Sequence, residues 1–512
     1  MRMRSAIPLL VCGLAGCGDD LRSGGDESGG GGPDGGPVEM CVDSAVTDFP
    51  DEPYGSPEEL PIEGCVAGGL AEVDLTGRWI VIGEDAFSAE MPYLRDSCED
   101  GFSVDEFFGG DVPPIMHRDD TEIFWRATFE GEGFFYAVAY RACAVDDSGE
   151  LAVVSGSCFN ESCGAAPGRM KRFGRPEGEV EADGLELVSE WSGGDQPWVE
   201  SLSFNVQVMN DMAFVARAGE LRIVDVSDPA EPRDLGSHTA AGELAFNDFN
   251  DVKVFEAAGG IHAVLAGDLT PVIDARDPEN PVVAAEIGEY SHSVFVRMEG
   301  DKPMAYLATY GGDVPIYDLS DPTDPQLVRR VAIGPDAQIH DLYAERNRLY
   351  VNATTAGFVV MQRQSAGPWQ RRGQLDSSYS HANWVGEVGG RRISIHGDEG
   401  LGAHLRVVDV DPGSDEFMDE IGTWETRPEV SIHNMMLIGS RAYVAYYQDG
   451  VRIIDLADPT APVLAAYHHT WDLETGSSFG FSGAIGIHVD PESGLIYVAD
   501  TDRGLMIFRE TR

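Results

Sequence analysis

Basic charge is scarce in this chain, cysteine is absent after position 163, and long apolar runs are missing. Of 512 residues, 35 are Lys or Arg against 88 Asp or Glu, a formal charge of -53. Phosphate backbones and anionic headgroups are electrostatically poor partners for such a surface, so no nucleic-acid ligand is expected. The surplus carboxylates suit solubility and divalent cations instead. No apolar stretch approaches the roughly 20 residues that cross a bilayer as a helix. Walker and HExxH signatures are also absent, which removes the familiar routes to nucleoside-triphosphate binding and zinc proteolysis.

What is present begins with an address. Arg2 and Arg4 precede the apolar stretch Ile7 to Ala15, and LAGC ends it at Cys17. This arrangement resembles a bacterial lipoprotein signal, which implies cleavage after residue 16 and a diacylated Cys17 as the only membrane attachment. GGDESGGGGPDGGP follows at Gly24 to Pro37. Glycine and acid at this density cannot bury apolar surface, so residues 17–40 read as an anchor and a disordered tether. The expected location is the extracytoplasmic side of the cell envelope, lipid-anchored, with the outer membrane or cell surface favoured.

Six further cysteines, Cys41, Cys65, Cys98, Cys143, Cys158 and Cys163, all precede residue 164. Their even number in an exported chain argues for disulfides whose pairing the sequence does not rank. Residues 41–183 therefore read as a small disulfide-rich β domain. Strand words occur at GRWIVIG (77–83), EIFWRATF (122–129), GFFYAVAYRACAV (133–145) and ELAVVSGSC (150–158). DLTGRW resembles the opening of lipocalin-like barrels, which implies a ligand-holding barrel; a plain β-rich structural domain is the alternative.

The remaining segment, 184–512, repeats itself. LRIVDVSDPAEP at Leu221 to Pro232 returns as VRIIDLADPTAP at Val451 to Pro462, with looser copies from Pro271, Val314 and His404. The position of the first aspartate runs through Asp225, Asp274, Asp318, Gln362, Asp409, Asp455 and Arg509, at spacings of 44 to 54 residues. Each unit holds four short β runs, which at this period means a propeller blade rather than a helical solenoid. Asp after the third strand can accept from backbone N–H groups ahead of it, and Pro ends the ladder for want of a donor. Seven third strands predict seven blades. The seventh lacks a fourth strand of its own, and LELVSEWSG, Leu185 to Gly193, is expected to supply it. These phrases resemble the LVIVD repeat, a family of β-propeller units in bacterial and archaeal surface proteins, and that resemblance implies architecture more than activity. The expected fold class is all-β: a seven-bladed β-propeller preceded by the disulfide-rich domain and the tether.

A second regularity is independent of the turn. Histidine stands just before or at the start of five innermost strands, as His292, His340, His381, His433 and His488, where blades one and two have Asn205 and Asn250. In a propeller these positions ring one mouth of the central channel. The loop HGDEGLGAH brings His396, Asp398, Glu399 and His404 to the same face. Three readings follow. Each imidazole serves its own blade; or the mouth binds an envelope or surface protein, a glycan or a small ligand; or neutral imidazoles beside carboxylates hold a divalent or copper ion in a metal-dependent enzyme.

Overall fold

The computed structural model describes residues 40–41, 53–83, 89–90, 93–94, 103–104, 115–131, 134–145, 149–160, 162–193, 202–239, 249–335, 337–345, 347–363, 367–477 and 480–512. The signal, Cys17, the tether and Cys98 lie outside these residues, as does the side chain of Cys41. Among the described residues no helix is long and apolar enough to cross a membrane. They divide into two compact units, 40–177 with 472–482, and 178–471 with 483–512.

The smaller unit is a β-sheet of long antiparallel strands, Ile123–Gly131, Phe134–Ala144, Leu151–Phe159 and Ser162–Arg172, joined in order. The first long strand, Gly77–Gly83, pairs with the last, Ser162–Arg172. Among the described residues no pair joins Ile115–Arg118 to the short strands near Gly77–Gly83. One face packs Trp79, Trp125, Tyr140, Leu151 and Met170 into a core. Cys65–Cys143 fastens the segment before the sheet to its third long strand, and Cys158–Cys163 crosses a hairpin at directly paired residues.

The larger unit is a propeller. Its seven sheets are antiparallel, and their innermost strands start at Ser203, Asp251, Ser293, Asp341, Ser380, Met435 and Ala484. Each inner strand packs against the next, and the last, Ala484–Val489, packs against the first, Ser203–Met209. Middle strands such as Met212–Arg217 and Leu495–Asp500 are buried almost throughout because a neighbouring blade covers each face. Their sequences therefore run apolar instead of alternating. Outer strands alternate and reach solvent.

The repeated phrase is a double turn. The first aspartate accepts from the N–H two residues on, at 3.0 Å in Asp225, 2.9 Å in Asp318 and 2.8 Å in Asp455. The second aspartate does the same, at 3.0 Å in each of Asp228, Asp321 and Asp458. Two Asx turns thus fix the exit from the third strand using side chains already in the sequence. The turn also touches the preceding blade. A Cβ on Gly236 of blade one would lie 2.5 Å from Pro278 O, and one on Gly422 of blade five 2.3 Å from Pro459 O. Only glycine admits so close a carbonyl.

Blade seven is completed by Leu185–Trp191, which pairs with Gly504–Glu510 from Leu185↔Glu510 to Trp191↔Leu505. Its register shift between Leu187 and Ser189 repeats the bulge found between third and fourth strands of the other six blades. Ser189 takes the place that Gly236 has in blade one, and its hydroxyl donates to Pro229 O of the blade-one turn at 2.6 Å. The N-terminal strand is therefore a full fourth strand, and it covers the edge that Gly504–Glu510 would otherwise expose. Just upstream, Ala182–Asp183 adds a fifth strand to blade six beside His468.

Replacing Gly422 with alanine should lower stability by about 1–3 kcal/mol, because the new methyl has to displace the Pro459 carbonyl. The check is a lower urea midpoint for Gly422→Ala than for the wild type. An unchanged midpoint would show that the turn does not press on the neighbouring blade.

Candidate functional site

The residue before the inner strand is held identically in several blades. His292 N donates to Ala308 O at 2.8 Å, His340 N to Asn352 O at 2.8 Å, and His433 N to Ala445 O at 2.9 Å. Asn250 N makes the equivalent bond to Ala266 O at 3.2 Å. In blades one, five and seven the inner strand is bulged here, and the extra residues are Phe204, His381 and Ile485. Histidine thus holds the place in blades three to six, four neighbours in a row.

Because the inner strands crowd around the channel, these imidazoles meet. Successive ring centroids are 3.9 Å apart for His292–His340, 4.2 Å for His340–His381 and 4.3 Å for His381–His433. A carboxylate joins them from the blade-five loop. Glu399 N donates to Tyr379 O at 3.0 Å, and Gly400 follows with φ +133°. The carboxylate then lies with Oε2 3.6 Å from His381 Nε2 and Oε1 3.8 Å from His433 Nε2. Tyr447 OH donates to Glu399 Oε1 at 2.5 Å. Tyr310 stacks on His292 with ring centroids 5.8 Å apart, and Tyr379 meets His340 edge-on at 5.7 Å.

Burial dominates the electrostatics. It drives His292 and His433 from the ordinary 6.5 down to about 4, and His340 and His381 well below 6.5. Burial also pushes the Glu399 carboxyl up to about 7, against the bond from Tyr447. Neutral imidazoles are the form that ligates metals or accepts hydrogen bonds. His433 Nδ1 lies 2.7 Å from Ile485 O, so it carries the proton and Nε2 keeps its lone pair. His381 is different: it is 2 % exposed, and among the described residues neither ring nitrogen has a hydrogen-bond partner.

Other residues singled out in the sequence lie elsewhere. His488 stands three residues beyond Ile485, along the strand rather than before it, near Tyr497. In blade seven the mouth position falls at Ile485, so the histidine of IHVDPE lies three residues too far along the strand. Asn205 also sits one position too far. Its Nδ2 donates to Asp251 Oδ1 at 2.6 Å, starting a lower belt in which the Ser293 hydroxyl lies 2.9 Å from Asp251 Oδ2 and 2.8 Å from Asp341 Oδ1. The loop cluster divides as well. His396 Nε2 contacts Ser380 Oγ at 3.0 Å and its ring packs on Phe358, Asp398 is ion-paired to Arg406 at 2.5 Å, and His404 Nδ1 lies 3.2 Å from Gly402 O. Only Glu399 of that loop reaches the histidine arc, because His396 and Asp398 still belong to a strand and keep its facing.

Sequence reading passed over the tyrosines. The tripeptide Tyr-Ser-His occurs twice, at Tyr290–His292 and Tyr379–His381, and this repetition was the available signal. Tyr290 and Tyr310 also line a cleft of about 380 Å³ with Glu289, Thr309, Asp313 and Arg330.

The opposed shifts make a pH prediction. Histidines depressed from 6.5 contribute stability that is full above pH 6.5 and lost as pH falls towards 4. Glu399, raised from 4.5 to about 7, contributes stability that is present below pH 4.5 and lost as pH rises through 7. Between pH 7 and pH 4 the melting temperature should therefore fall further in Glu399→Gln than in the wild type. Parallel curves would place the Glu399 carboxylate in water.

Residues 203–239, 304–333 and 433–470 match the LVIVD repeat, in blades one, three and six. The crystal structure of the WD40 β-propeller domain of Doa1 is similar at 14% identity over 64% of this chain and 98% of that one, with a TM-score of 0.46. A search of curated proteins finds no match. Three of the seven blades thus carry LVIVD repeats.

Proposed function

We propose that this protein is a lipid-anchored, extracytoplasmic binding protein of the cell envelope whose propeller takes a ligand at the histidine-lined mouth of its channel. His381 is the observation that carries the binding reading. A buried imidazole with both nitrogens unpartnered costs about 1–3 kcal/mol, and a purely structural residue would have a partner or be apolar. Its neighbours extend the same polar surface, since the arc joins Tyr310 and so the cleft beside it. A recess of this kind suits a small ligand or the projecting end of a glycan better than a flat protein face. The envelope location rests on Arg2, Arg4 and LAGC before the tether.

Substituting leucine for His381 tests the binding reading. Removing the unpartnered nitrogens should raise the melting temperature of ligand-free protein by roughly 1–4 °C. A lower melting temperature would mean that His381 serves packing alone. The anchor has its own test. Cys17→Ser should move the protein from the detergent phase to the aqueous phase in a partition experiment, and unchanged partition would remove the lipid from the account.

A further inference from the structure

We infer that the ligand at this mouth is a divalent first-row transition-metal ion, held by His340, His381 and the Oε2 oxygen of Glu399. The inference rests on the binding reading above and names its ligand. One ring nitrogen of each histidine and one carboxylate oxygen lie within 4.8 Å of one another, and His340 and His381 are buried. A tetrahedral ion with ligands at about 2.0–2.1 Å sets its donors about 3.3–3.4 Å apart. The 3.6 Å between His381 Nε2 and Glu399 Oε2 is close to that spacing. The His340 nitrogen completes the set within the same 4.8 Å.

The surroundings favour an ion over a second hydrogen-bonding group. Tyr447 occupies Glu399 Oε1, which leaves Oε2 as the oxygen facing His381. Metal-bound carboxylates are commonly oriented by such an outer bond. The Ile485 carbonyl sets the His433 tautomer and leaves Nε2 unprotonated, 3.8 Å from Glu399. That nitrogen faces Oε1, on the far side of the carboxylate from the three-donor cluster of His340, His381 and Glu399. Two nitrogens and one oxygen match zinc, cobalt, nickel, copper or ferrous iron, whereas calcium and magnesium call for oxygen cages. With three protein donors the ion keeps at least one coordination position for water or a further ligand.

The test uses the full chain without a histidine tag, treated with chelator and then titrated with Co²⁺ under a visible spectrometer, with Zn²⁺ as competitor. We expect about one Co²⁺ per chain with the visible bands of a nitrogen–oxygen site, displaced by Zn²⁺ and not by Mg²⁺. His340→Ala, His381→Leu and Glu399→Gln should each lose the bands. Tyr447→Phe should weaken binding about 10–100-fold while keeping them, and His404→Ala should bind as the wild type does. Should the ligand variants fail to fold, the Tyr447→Phe shift decides. Wild-type protein that takes up neither ion, or uptake undiminished in every variant, overturns the inference. If no metal binds while His381→Leu still raises the melting temperature, the mouth binds something other than a metal. If no metal binds and that variant melts lower, both readings fall.

Discussion

Closure of the ring depends on one antiparallel pairing, Leu185–Trp191 against Gly504–Glu510. A propeller without that pair would expose one edge of blade seven and loosen its hold on blade one, where Ser189 meets the Pro229 carbonyl. Inner strands would then lose their even crowding, and that crowding brings four imidazoles from four blades within about 4 Å of their neighbours. The site is thus a product of circular geometry more than of local sequence. None of its ligating candidates is close to another along the chain, apart from residues sharing blade five.

The repeated phrase and the histidine arc divide the labour between rim and centre. At the rim, paired Asx turns fix each third-strand exit, and glycines on the preceding blade accept the turn carbonyls in blades one and five. These contacts are made mainly by backbone and short side chains, so they tolerate variation elsewhere in the blade. Blade four shows this tolerance. It has Gln362 in place of the aspartate, yet Phe358–Arg363 still pairs on both sides. At the centre the demands are reversed: polar groups are buried, and satisfying them depends on partners from other blades.

That difference explains how much was legible in the sequence. Strand words and the D-x-x-D-P turn report local chemistry, so the blades, their order and the closing strand at Leu185 could be read from residues alone. Histidines at a common offset were legible for the same reason, and His292, His340, His381 and His433 do meet. Asn205 was misplaced because a bulge at Phe204 moves the register by a residue, and nothing in the local sequence marks a bulge; His488 lies three residues along its strand from the mouth position, which Ile485 occupies in blade seven. Glu399 could be named as a carboxylate near the mouth, but not separated from Asp398. The Tyr379 carbonyl and Gly400 turn one inward, while Arg406 retains the other. Such choices are made by tertiary neighbours.

The strand that seals blade seven is synthesised before any blade, and its partner, Gly504–Glu510, comes more than 300 residues later. Every nascent intermediate is therefore an open arc with its two ends waiting for each other. A premature stop that removed only the final third strand would leave six complete sheets and no wheel. Whether the wheel can close amounts to whether Gly504–Glu510 has been made.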